Sequence, residues 1–114
     1  MKSARYLLAG RRYVHAVFMC HLSVEKALKA VYHRSTGSIP PKHHNLLYFV
    51  QHLNLNPPGD LLLALGKLNR MSIVTRYPDD LRKLQKAITA ARARELLKSG
   101  QEALKWLGKT FFAP

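Results

Sequence analysis

The chain predicts an all-α fold, an up-and-down helical bundle of four to five helices, and three observations carry that reading. Apolar residues recur at three- and four-residue steps along the long segments. No segment alternates with period two over a useful length, so no sheet is expected. The segments are separated by clusters of Gly, Pro, Ser and Asn, residues that end helices. At 114 residues and 47% apolar content, residues 1–114 read as a single domain with one core. Internal repeats, low-complexity tracts and linkers are not evident.

Residues 2–9 (KSARYLLA) make a short first helix that ends near Gly10. The second and longest helix runs from about Arg12 to Arg34, with Val14, Val17, Phe18, His21, Val24, Leu28 and Val31 on one face. Ser35 to Ser38, followed by Pro40 and Pro41, terminate it. A third, short helix spans about Asn45 to Leu53, with Leu46, Phe49, Val50 and Leu53 on one face. The stretch from Asn54 to Gly59, with Pro57 and Pro58, breaks it. Asp60 is placed to cap a fourth helix from Leu61 to about Val74, which stops at the Tyr77-Pro78 step. The last helix has two candidate starts, Asp79-Asp80 and Thr89, with a looser stretch between them. Its apolar face holds Ala93, Leu97, Gly100, Leu104, Leu107 and Phe111, where Gly100 either kinks the helix or admits a close neighbour.

Charge sets the chain apart. Nineteen Lys and Arg against six acids give +13, and the first 59 residues hold eight basic groups and one acid, Glu25. Such a domain attracts polyanions: nucleic acid, nucleotides or an acidic partner. The plainer alternative is that the cations solvate the helix surfaces. No apolar run approaches the roughly 18 residues of a membrane span, and residues 61–65 form the longest candidate. No signal peptide is read at the N-terminus, so a cytoplasmic location is expected. Cys20 has no partner for a disulfide and reads as a small core residue.

Two places concentrate polar chemistry. His21 lies on the apolar stripe of the second helix with Glu25 one turn on, and a buried histidine and carboxylate at that spacing must pair with each other or with something brought to them. At residues 76–80, Arg76, Tyr77, Pro78, Asp79 and Asp80 present a cation, a phenol and carboxylates where helix-end backbone groups are also free. Known chemistry is otherwise missing. The glycines are isolated, so no phosphate loop and no cofactor motif is expected. The acids are too few for a polymerase-type carboxylate site. The histidines are dispersed except for His43 and His44, and His21 with Glu25 lacks an identifiable third ligand, so no metal is expected.

The runs AVFMCHLSVEKALKA, PPKHHNLLYFV and VTRYPDD, in that order and spacing, resemble the signatures of HEPN domains (higher eukaryotes and prokaryotes nucleotide-binding), in the small prokaryotic form with an RYPD motif. His21, Glu25, Lys26, Ala27, Leu28, Lys29 and Ala30 fall on that family's helix signature, His44, Asn45 and Leu46 on its loop, and Arg76, Tyr77, Pro78 and Asp79 on its last motif. The resemblance implies a helical bundle, usually a homodimer. It also implies frequent pairing with a minimal nucleotidyltransferase for which such proteins serve as substrate-binding subunits, or a toxin–antitoxin role. There are departures. Leu22 stands where the family commonly has Gln, Met71 where it often has Tyr, and the first helix is shortened. Ribonuclease members carry Arg followed four to six residues later by His, and no arginine here has that partner. RNA cleavage needs a base beside a cation that stabilises the developing charge, and Arg76 supplies only the second.

Three functions are consistent with these residues. In the first, a non-catalytic binding subunit takes a nucleotide or polyanion in a basic dimer groove formed by Arg76, Tyr77, Lys26 and Lys29, with Asp79, His21, Glu25 and His44 as further candidates. The second is a ribonuclease toxin with a divergent site that uses His21 or His44 as base against Arg76. The third is a general nucleic-acid-binding domain acting through charge alone. Structural roles compete at each position: Arg76 can pair with Asp79 or Glu25 and tie two helices, Tyr77 can be a core aromatic, and Lys26 and Lys29 can simply be solvated. For assembly, the short first helix leaves Phe18, Leu104, Trp106, Leu107 and Phe111 as apolar surface that a two-fold copy would cover. The expected homodimer has basic residues at its rim and tightens as salt screens them.

Overall fold

The structure, a computed structural model, describes residues 1–42, 44–74 and 77–112. It is all-α: α1 (Lys2–Ala9), α2 (Tyr13–Thr36), α3 (Leu46–His52), α4 (Gly59–Val74), α5 (Pro78–Ala87) and α6 (Ala90–Leu107), then a turn of π-helix, Gly108–Phe112. The described residues thus hold six helices where four to five were expected. The extra one lies in the stretch before Thr89 that lacked a strong apolar face.

The long helix α2 is the spine. It packs against α1, α3, α4 and α6, and more thinly against α5. Val17, Cys20, Val24, Leu28 and Val31 of α2 meet Leu46 and Phe49 of α3, Leu65 and Leu68 of α4, and Leu96, Leu97 and Leu107 of α6 in one core. Each such aliphatic or aromatic side chain, fully buried, contributes about 1.5–3 kcal/mol. Phe49 is the largest of them, and its ring meets Tyr32 and Tyr48 edge-on, at centroid distances of 6.1 and 5.4 Å. Gly37 closes α2 in the left-handed conformation, φ 71°, with its N–H bonded to the His33 carbonyl.

Gly100 admits a close neighbour. A methyl group there would collide with Cys20 Sγ, so the glycine lets α6 lie against α2. Cys20 is fully buried, its Sγ lies 3.8 Å from the Leu96 carbonyl, and burial pushes its thiol up to about 12.

Phe18, at the edge of the apolar stripe, is 38% exposed, because the inward face of α2 is turned toward Ala16, Cys20 and Glu25. Three expectations are corrected. Asp60 lies inside the first turn of α4 rather than capping it, since the helix already starts at Gly59. The last segment is two helices, split at Ile88 and Thr89. Pro78 at the first position and Asp79 and Asp80 in the first turn start α5, and the Thr89 side chain caps α6 by accepting from the Arg92 N–H at 3.1 Å. Finally, the apolar face of the last helix is largely covered: Leu107 is buried, and Trp106 and Phe111 are half-buried against each other, rings edge-on at 6.3 Å. No helix among the described residues is long and apolar enough to cross a membrane.

Candidate functional site

The loop after α2 returns to that helix because α3 is anchored at its first residue. The Asn45 side chain accepts from the Leu47 N–H at 3.0 Å and the Tyr48 N–H at 3.4 Å, capping α3. Asn69 of α4 holds the cap in place: its Nδ2 donates to Asn45 Oδ1 at 2.9 Å, and its Oδ1 accepts from the buried Leu46 N–H, also at 2.9 Å. Asn69 is itself buried, and it fixes the start of α3 to α4. His44 immediately precedes this anchor and is delivered onto α2.

There it meets Glu25. The carboxylate is 4% exposed, its Oε1 accepts from His44 Nδ1 at 3.0 Å, and its Oε2 accepts from the Lys29 ammonium at 3.2 Å. His21 Nδ1 stands 3.9 Å from the same Oε1, one turn back on α2, in a fully buried ring. Burial pushes the Glu25 carboxyl up, but the hydrogen bonds from His44 and Lys29 and their charges outweigh it, and the group sits below its ordinary value. Glu25 is therefore ionised at neutral pH. An ionised carboxylate can only accept, so His44 presents Nδ1–H to it and keeps Nε2 on the opposite edge of the ring. The His44 side chain is half-exposed and that of Lys29 a quarter exposed, so the cluster opens to solvent on one side.

Of the candidates, the fold brings together His21, Glu25, Lys29 and His44. Lys26 is exposed and makes no ion pair among the described residues. Tyr77 is 59% exposed at the start of α5, so it is not a core aromatic. Asp79 is exposed and pairs with Arg82 one turn on, at 3.5 Å. Arg76 and His43 lie outside the described residues. Among the described residues, no group of His, Cys, Asp and Glu converges as a metal-ligand set.

Asn69 is the residue that sequence reasoning missed. Its signal was an amide four residues after Leu65 and beside Leu68, on the inward side of an otherwise apolar helix, where it must find buried partners.

A family model described as HEPN domain matches residues 1–110 of the chain. Neither the curated proteins nor the solved structures gave a match.

Proposed function

The chain belongs to the HEPN domain family, and from that premise we propose that it is a non-catalytic binding subunit for a nucleotide or similar phosphate-bearing ligand. It acts in this reading as a homodimer, beside a minimal nucleotidyltransferase. The observation that supports this is the arrangement around Glu25: a buried carboxylate holds two partly exposed side chains, Lys29 and His44, in fixed positions. The Lys29 ammonium has three donors and uses one on Glu25, so the others are available to an anion. Donors fixed in advance lose little freedom on binding. Arg76 and Tyr77 enter this reading only through the sequence resemblance of the RYPD segment.

Calorimetric titration with ATP tests this. Saturable binding is expected, weakened about tenfold by Lys29→Gln or His44→Gln, as for loss of one charge-assisted hydrogen bond. Lys26→Gln, exposed on the same helix, should leave affinity within about twofold. Absence of saturable binding, or an equal loss from Lys26→Gln, overturns the reading.

One observation favours a second reading, a ribonuclease. Glu25 fixes the tautomer of His44 and leaves Nε2 to act as a base, as a carboxylate does for histidine in hydrolytic sites. His44 would then serve against Arg76 as the cation. RNA cleavage lost in His44→Ala distinguishes it.

A further inference from the structure

A second concentration of charge lies at the opposite part of α2, away from Glu25. Twelve residues separate Tyr13 from Glu25, about 18 Å along a helix axis. Here Arg5, Arg11 and Arg94 line a hollow of about 590 Å³ together with Tyr13. A neighbouring hollow of about 220 Å³ is lined by Arg11, Arg12, Tyr13 and His15. The two share Arg11 and Tyr13, so they adjoin, one toward α1 and Arg94 of α6 and the other toward Gln85 of α5 and Ile88.

Among the described residues, no acid lines either hollow. Arg5, Arg11, Arg12 and Arg94 are all exposed and make no ion pair among the described residues, and the nearby Glu95 pairs with Arg92 instead. The start of α2 adds to the field: Arg12 stands at its N-cap position, no side chain caps it, and its first turn has no acid. The backbone is also unusual. Arg11 has φ 62°, a conformation that glycine or asparagine adopts more cheaply, while the adjacent Gly10 sits at an ordinary φ of −83°. The conformation closes α1: the Arg11 N–H bonds to the Leu8 carbonyl at 3.1 Å and the Arg12 N–H to the Leu7 carbonyl at 2.8 Å, which sets the two arginines at the turn into α2.

We propose that these adjoining hollows bind the backbone of single-stranded nucleic acid, with Arg5, Arg11, Arg12 and Arg94 on successive phosphates and the half-buried Tyr13 beneath the strand. Arginines spread over two adjoining hollows match a repeating anion better than an isolated one. Phosphate contacts of this type neutralise the cations without reading sequence.

The test is fluorescence anisotropy with a short labelled oligouridylate over a salt series. Arg11→Gly removes one cation and suits the local φ, so the folded chain should melt no lower than before while its affinity falls about tenfold. The triple variant Arg5→Gln, Arg11→Gly, Arg94→Gln should flatten the slope of log affinity against log salt by about two. A control triple, Arg82→Gln, Lys83→Gln, Lys86→Gln, removes the same charge from α5 and should leave the affinity within about threefold. Equal losses from the two triples would show that net charge alone acts, and overturn the proposal. Unchanged affinity in Arg11→Gly overturns it, as does displacement of the strand by ATP at the same concentration of phosphate.

Discussion

Glu25 Oε1 accepts from His44 Nδ1 at 3.0 Å across nineteen residues of sequence, and this bond closes the loop after α2 back onto the helix. The carboxyl is held below its ordinary value in the folded chain. Its contribution to stability is therefore fully present above the unfolded carboxyl pKa of about 4.3 and is lost as pH falls through the lower folded value. Glu25→Gln should destabilise the protein by about 1–3 kcal/mol at neutral pH and remove that part of the acid-side loss. Urea denaturation, repeated from neutral pH down through the carboxyl range, checks both. A variant as stable as the parent at neutral pH would deny the pairing its role.

Asn69 holds the α3 cap, and its loss leaves the buried Leu46 N–H without an acceptor. Asn69→Ala should cost about 1–3 kcal/mol, more than the roughly 1 kcal/mol of a simple cap deletion in Asn45→Ala. Because the same anchor delivers His44, the variant should also weaken any binding that depends on His44. Denaturant midpoints and ATP titration measure the two effects, and a loss of stability with unaltered binding would separate the anchor from the site.

Much of the bundle was legible in the sequence, and the exceptions have physical causes. α1, α2 and α3 follow from apolar spacing and from Gly and Pro breaks, and Thr89 was legible as a cap. α5 was not, because none of its residues is buried and its stretch offers little beyond half-buried Leu81 and Leu84 as an apolar signal. The pairing of His21 and Glu25 was legible from their four-residue spacing, but the arrival of His44 at Glu25 was not. That contact depends on how Asn45 and Asn69 fold the loop, and a contact across the chain leaves no periodic trace in sequence. Phe18 lies on the edge of the α2 stripe, where spacing alone does not separate buried from exposed.

Gly100 and Cys20 share a space that has room for one of them to be larger. Gly100→Ala should destabilise the chain by about 1–3 kcal/mol through overpacking. Cys20→Ala opens the site, so the double variant should lose less than the sum of the two single changes. A thermodynamic cycle on denaturant midpoints measures the coupling, and additive losses would rule out the contact. In the parent, the buried thiol, pushed up to about 12, should react with a disulfide reagent only as fast as the chain opens.

With Trp106 and Phe111 half-covered by each other, Phe18 is the exposed member of the apolar set expected to drive assembly. A homodimer seated over Phe18 should tighten from low to moderate salt, as screening relieves repulsion between two chains of +13 each. Phe18→Asp should shift sedimentation toward the monomer and leave the melting temperature nearly unchanged. A monomer in the parent at moderate salt would exclude this assembly.

The most direct test of the proposed role is incubation of the purified chain with labelled single-stranded RNA, followed for both binding and integrity of the strand. The account predicts that RNA binds and remains intact, for the parent and for His44→Ala alike, because no base acts at the site. RNA cleavage by the parent that His44→Ala abolishes would contradict it and make the Glu25–His44 pair a catalytic one.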